Sequence, residues 1–266
     1  MKFKHLICSL LLFYIIESSC KPHKTEETIV CITTEMGIIK LKLYNETPLH
    51  RDNFINLINK GYFTNKIFHR VIKNFMIQGG SSSVSVKPDL NPESNFNYTV
   101  PAEINKKDFH KRGALAAARK SDVVNPKRES TATQFYIVEG EKLTQDQLQQ
   151  VQDEINSQLI QSKARKYYLS DIKKAKVANT PFNEQSIVKT AIAKAQEENL
   201  KNPFAYSEEQ RKTYTTIGGA PHLDGTYTVF GEVTEGMNVV DKIAYVKTTS
   251  GDKPEKEIKF SIKLLK

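Results

Sequence analysis

Between about residues 141 and 213 the apolar residues of this 266-residue chain recur at helical spacing, whereas on both sides of that block they alternate. Leu143, Leu148, Val151, Ile155 and Leu159 form a stripe with a period near 3.6. A break at Asn179-Thr180-Pro181 precedes a second helical run over 184–200, and Ser207-Glu208-Glu209 opens a third, short helix. Charge within the block is mixed, 12 Lys/Arg against 10 Asp/Glu, which suits solvated faces with one buried stripe. No heptad persists long enough for a coiled coil. Outside the block, "TIVCITT" and "GIIKLKLY" read as a hairpin turning at Glu35-Met36-Gly37, with Cys31 buried in the first strand. "TATQFYIVEG", "TYTVFGEV" and "EIKFSIKLLK" read as further strands. "TPLHRDNFINLINKGYF" reads as a helix, with Thr47 as cap, Pro48 in its first turn and Leu49, Phe54, Leu57 and Ile58 as its apolar stripe. "GMNVVDKIAYV" is a second short helix, and 81–102 a long surface loop. Alanine content makes "RGALAAARK" helical by propensity, though Gly113 and the short length leave that open. The plan is mostly β, with a helix near each end and a helical segment inserted before the last third.

The first twenty residues stand apart. Lys2 and Lys4 precede the apolar run 6–16, and Glu17-Ser18-Ser19-Cys20 follows. That is the layout of a secretory signal, and the run is shorter than the roughly 20 residues that span a bilayer. Cys20 resembles the lipidation cysteine of bacterial lipoproteins. Glu17 departs from that pattern, so ordinary cleavage and an uncleaved anchor stand as alternatives. Residues 21–27 read as a tether, and 28–266 as one domain interrupted by the 141–213 insertion. The expected location is therefore the cell envelope: export across the inner membrane, then the periplasm, with membrane attachment through lipid on Cys20. The chain's net charge of +9 is partly local, with eight Lys/Arg against three acids over 105–129. A solvated loop face explains that better than a phosphate-bearing partner. Phe109 is the lone aromatic there, which argues against nucleic acid.

No two of the six histidines lie three or four residues apart, and His5 with Cys8 and Cys20 with His23 are isolated pairs without the four-ligand spacing of a zinc site, so no metal is expected. There is no G-x-S-x-G and no conspicuous Ser/His/Asp grouping. His222 and Asp224 are two apart, which a turn explains. "GGSSS" at 79–83 lacks the Lys-Ser/Thr and helix of a phosphate loop. What remains is "FHRVIKNFMIQGG", two strands joined at Lys73-Asn74. Simple alternation puts Phe68, Arg70 and Ile72 on one face, His69 and Val71 on the other, and Met76 with Gln78 on the partner strand. A cation and an amide thus sit on an apolar floor with no nucleophile nearby.

"FHRVIKNFMIQGG", "RGALAAAR", "TATQFYI" and "GAPHLDGTYTVFGEV" occur in this order, and together they resemble the cyclophilin family of peptidyl-prolyl isomerases. The likeness covers about 28–140 and 214–266, leaving the insertion outside. It implies an eight-stranded antiparallel β-barrel capped by two helices. It implies Arg70 as catalytic arginine and Gln78 as the glutamine that orients Arg70 or the substrate carbonyl. It places Phe75, Met76, Tyr136 and Leu223 around the proline pocket, Gln134 at a further substrate contact, and Tyr227 and His222 at the rim. The backbone at Ala118 and Arg119 would pair with the substrate chain. Proline-containing peptides and unfolded proteins are the implied partners, no cofactor is implied, and a monomer is expected. Lys73-Asn74, Ser81, Ala117 and Tyr136 depart from the usual residues, and with no tryptophan in the chain tight cyclosporin binding is not expected. The alternative is a module that holds Pro-containing chains, with the insertion as its client-binding surface.

Overall fold

The computed structural model describes residues 27–80 and 96–265. In order these form β1 (Thr28–Thr34), β2 (Gly37–Leu43), α1 (Pro48–Asn59), β3 (Lys66–Ile72), β4 (Met76–Gly79), β5 (Thr99–Val100), β6 (Ala114–Ala117), β7 (Ser130–Thr131) and β8 (Phe135–Val138). Then come α2 (Gln145–Val177), α3 (Glu184–Lys201), α4 (Glu208–Thr216), a single 3-10 turn (Pro221–Leu223), β9 (Val229–Glu235), α5 (Met237–Ala244) and β10 (Lys259–Leu265). The expected signal with Cys20, the tether except Glu27, and Ser81 to Ser83 lie outside the described residues.

Eight strands close a barrel in the order β1-β10-β3-β4-β8-β6-β9-β2, each pair antiparallel. In the first hairpin Ile32 faces Ile39 and Val30 faces Leu41, and all four are fully buried. Cys31 falls on the opposite phase and is half-exposed, not buried as its apolar run suggests. Within 81–102, Thr99–Val100 is not loop: it pairs with β7 as a small second sheet. The alanine run is strand β6, hydrogen-bonded to β8 on one side and β9 on the other. A strand ladder on both edges satisfies every backbone group of so short a segment, which outweighs alanine's helix propensity.

Helix α1 buries Phe54, Leu57 and Ile58 in the main core, while Leu49 points outward. Thr47 holds the N-cap position, but its buried hydroxyl makes no capping bond and has no partner among the described residues. The carboxylate of Glu103 accepts from the backbone N–H of Leu49 (3.0 Å) and of His50 (2.9 Å) instead. A full negative charge is the stronger acceptor for the free amides of a helix start. Helix α5 contributes Val239, Val240 and Ile243 to the same core.

The insertion has two parts. At its root, Thr144 and Ser207 each form a reciprocal cap with Gln147 and Gln210. Leu148 and Ile155 pack with Tyr206 and Tyr214 in a separate apolar cluster, and α2 lies against the Pro221–Leu223 turn. Beyond the root, α2 and α3 run together as an arm, with Ala164, Ala191 and Ala195 buried between them. At 1.5 Å per residue, α2 is about 50 Å long.

Candidate active site

The strand that carries Arg70 departs from simple alternation. Phe68 pairs with Gly79 and Arg70 with Gln78, so His69 is an extra residue without a counterpart on β4. Such a bulge resets the phase. Phe68 and Val71 therefore both enter the barrel core, and Phe68 does not share Arg70's face as expected. Arg70 and Ile72 face outward with Met76 and Gln78. The register continues the row across the sheet: Arg70, Gln78, Tyr136, Ala116, Val229.

On this outer face lies an apolar cluster distinct from the barrel core. It contains Met76, Ala116, Ala118, Tyr136 and Val138, with half-buried Phe75, Leu223 and Tyr227 packed against it. The expected pocket residues are thus one group. Met76 and Tyr136 are only 2% and 4% exposed and make its floor. Phe75, Leu223 and Tyr227 make its accessible walls. His222 stands at the rim, its ring 5.1 Å from that of Phe75. Tyr227 is held by Arg119, whose guanidinium lies 4.4 Å from the ring centroid. Arg119 is itself fixed by the Thr226 carbonyl (2.7 Å) and by Asp122 (2.6 Å).

Gln78 and Ala118 both have partners within the protein. Gln78 lies beside Arg70 in the register, and its Nε2 donates to Oε1 of Gln134 at 3.1 Å, which orients both amides. The N–H of Ala118 donates to Gln134 O, and its carbonyl accepts from Thr131 N. Ala118 therefore offers a substrate chain only the second lone pair of its carbonyl.

The cation has a partner that its neighbourhood in sequence does not suggest. Arg70 Nε donates to Asp252 Oδ2 at 3.2 Å, and both side chains are about half-exposed. Asp252 sits at φ +62° in a tight turn closed by Thr249 N to Lys253 O, and its own carbonyl accepts from Val71 N at 2.8 Å. One residue so grips both the strand and the side chain. With Nε engaged, the two terminal nitrogens have no protein partner among the described residues. They remain the donors for a ligand.

Beneath the cup lies a buried polar relay that sequence spacing does not reveal. Tyr136 O–H donates to His110 Nε2 (3.0 Å), and His110 Nδ1–H donates to Asp224 Oδ1 (2.8 Å). Asp224 also accepts from His110 N (2.9 Å), Tyr214 O–H (2.7 Å) and Gln210 Nε2 (3.3 Å). Burial pushes the Tyr136 and Tyr214 hydroxyls far above their usual pKa, so both remain donors. Asp224 is thus more than a turn residue. Its partners lie 10, 14 and 114 positions away.

A second relay is hydrolase-like in outline: Glu103 Oε2 to His50 Nδ1 (2.7 Å) and His50 Nε2 to Ser130 Oγ (2.8 Å). Ser130 is 1% exposed, so no acyl group reaches its hydroxyl. This trio fastens α1 to β7. Among the described residues there is no group of three or more His, Cys, Asp or Glu placed to hold a metal ion.

Residues 29–263 match the sequence model of the family described as "Cyclophilin type peptidyl-prolyl cis-trans isomerase/CLD". A Staphylococcus aureus protein named "Putative peptidyl-prolyl cis-trans isomerase" is 28% identical over 229 residues, 86% of each chain. A Streptococcus pyogenes protein named "Putative bifunctional phosphatase/peptidyl-prolyl cis-trans isomerase" is 28% identical over 236 residues. That alignment takes in 86% of this chain but 37% of the longer relative. In the crystal structure of a cyclophilin type peptidyl-prolyl cis-trans isomerase from Cryptosporidium parvum the fold is shared, with TM-score 0.54 at 20% identity over 91% of this chain and 99% of that one. The same protein was also crystallised in the presence of the dipeptide Ala-Pro.

Proposed function

The chain belongs to the cyclophilin-type peptidyl-prolyl cis-trans isomerases, and from that premise we propose that Arg70 is its catalytic residue and the Met76/Tyr136 cup its proline site. The observation that carries this is the row placing Arg70 and Gln78 side by side on the apolar outer face, with Arg70 tethered, among the described residues, through Nε alone.

Rotation about an Xaa–Pro bond breaks the amide resonance and meets a barrier of about 18–20 kcal/mol. No covalent bond is broken and no proton moves, so neither nucleophile nor metal is required. At the half-rotated geometry the proline nitrogen turns pyramidal and gains a lone pair. The terminal N–H groups of Arg70 donate to it there and find no such acceptor in the planar ground state. That difference in binding lowers the barrier. Phe75, Leu223 and Tyr227 hold the pyrrolidine ring while the preceding carbonyl swings. Gln78, oriented by Gln134, receives the carbonyl end of the substrate. The Ala-Pro dipeptide used with the Cryptosporidium relative is the minimal ligand of this kind. A proline-peptide isomerisation assay of the wild type against Arg70→Ala tests the assignment. Equal rates in the two proteins would remove Arg70 from the mechanism.

The biological reading is protein folding in the cell envelope, with lipid on Cys20 as the anchor. It rests on the basic, then apolar, then small-residue order of the first twenty residues. The mass of the mature N-terminus tests it: a cut at Cys20 with an added diacylglycerol supports the anchor, and an unmodified residue refutes it.

A second reading, the arm as a client-binding surface, is favoured by Val177, Phe182, Val188, Ile192 and Leu200, all exposed along it. Excising 165–195 while keeping the root should then abolish protection of an aggregating client and spare peptide turnover. Undiminished protection would rule that reading out.

A further inference from the structure

We propose that α4, the helix that carries the insertion back to the barrel, is part of the catalytic scaffold: Gln210, inside the 141–213 insertion, and Tyr214, the first residue after it, are positioning residues that hold the floor of the proline cup through Asp224 and His110. The inference rests on the reading of Tyr136 as cup floor, and it gives the root of the insertion a role in the reaction.

The chain of contacts is continuous and almost dry. Tyr214, Asp224, His110 and Tyr136 are between 0% and 4% exposed. Asp224 can only accept, so the ring nitrogen facing it must carry the proton. In a neutral ring that puts the proton on Nδ1 and leaves Nε2 bare, and Nε2 then only accepts from Tyr136. The direction of the Tyr136 hydroxyl, and so the tilt of its ring, is dictated from the far end of the relay. At that end Asp224 draws two of its four donors from α4: Tyr214 O–H at 2.7 Å and Gln210 Nε2 at 3.3 Å. The ring of Tyr136 also stands edge-on to Tyr227 at 6.0 Å between centroids, so a change of tilt moves a wall of the cup together with its floor. In a low-dielectric site such linked bonds reinforce one another, and loosening one end weakens the other. A phenylalanine at 136 would close the same floor without needing the relay. The tyrosine ties the cup to the insertion.

The effect is expected on substrate grip more than on the rotation step, because Arg70 lies on a different element and is held by Asp252. The test uses the full chain and the peptide Ala-Ala-Pro-Phe, with kcat, KM and the dissociation constant measured for Tyr214→Phe, Tyr136→Phe and the double variant. Tyr214→Phe removes one O–H and no ring volume. It is expected to raise KM and the dissociation constant about five-fold, the size of one hydrogen bond, with kcat within two-fold. In the Tyr136→Phe background the same substitution should change neither, since the relay is already cut at the cup. A Tyr214→Phe protein that folds with unchanged KM overturns the proposal, as does an equal rise in both backgrounds. The ring-nitrogen shifts of His110 in the wild type read the relay with no substitution at all: a proton on Nε2 overturns it even if Tyr214→Phe fails to fold. Absence of turnover in the wild type would refute the activity reading alone, and the dissociation constants would still decide the relay.

Discussion

The rim and the floor of the cup are built on opposite principles. At the rim, Arg70 and Asp252 meet half in solvent, where water screens their attraction and the pair adds little to stability. At the floor, Asp224, His110 and Tyr136 meet out of solvent, where every bond counts and every missing partner is costly. The cation proposed to meet the substrate is half-exposed and, among the described residues, is held by Asp252 alone. Rings that must not move are locked by several. Aim and rigidity are thereby separated, and substitutions at the two levels should fail in different ways.

The largest effect belongs to the floor. Asp224→Ala leaves His110, Tyr214 and Gln210 without their shared acceptor and should cost on the order of 3–5 kcal/mol, read as a lower urea midpoint. A loss under about 1 kcal/mol would place the floor in the same class as the rim. Next comes Arg70→Ala, which should lower kcat/KM about 100-fold while the urea midpoint stays within error. A stability loss there would mean that the rim is structural too. Asp252→Asn, which keeps a residue suited to the φ of +62°, should lower kcat roughly three- to ten-fold through misaimed nitrogens and leave stability within about 0.5 kcal/mol, whereas Asp252→Ala should add a backbone strain of about 1 kcal/mol. If turnover is unaffected, the tether does not aim the guanidinium.

The smallest effect separates the levels by pH. Arginine keeps its charge throughout, so turnover should be flat from about pH 6 to 9. Burial lowers the pKa of His50 from 6.5 against the pull of Glu103, and burial with Arg70 nearby lowers that of His69. For both, the unfolded chain takes up protons first as pH falls. Their contribution to stability is present above pH 6.5 and declines as pH drops below it, by at most about 1.4 kcal/mol per group and pH unit. Melting curves between pH 7 and 5 check this, and a melting temperature constant over that range would count against neutral buried histidines.

Much of this was readable from local pattern. The β1–β2 hairpin, α1, α5, the three inserted helices and the break near Thr180 follow from period and capping residues, because those signals act over a few positions. The cup residues came from a resemblance, and the structure gathers them on one face. What local pattern could not show is action at a distance. Asp252 reaches Arg70 across 182 residues, Asp224 reaches His110 across 114, and Glu103 takes the capping role from Thr47 across more than 50. Nor does composition announce a bulge. The alternation of "FHRVI" reads as regular until pairing with β4 shows one residue too many. The alanines of β6 mislead for the same reason: their partners, β8 and β9, are distant in sequence.

That supernumerary residue makes the strand unusually tolerant of shortening. Without His69, ordinary alternation from Phe68 would still send Val71 inward and Arg70 outward, so the barrel would keep its filling. The straightened ribbon would lose its local kink, and the guanidinium would point elsewhere. A one-codon deletion should thus keep the fold, which Phe68 and Val71 secure, and lose the aim of Arg70 that the proposed mechanism needs.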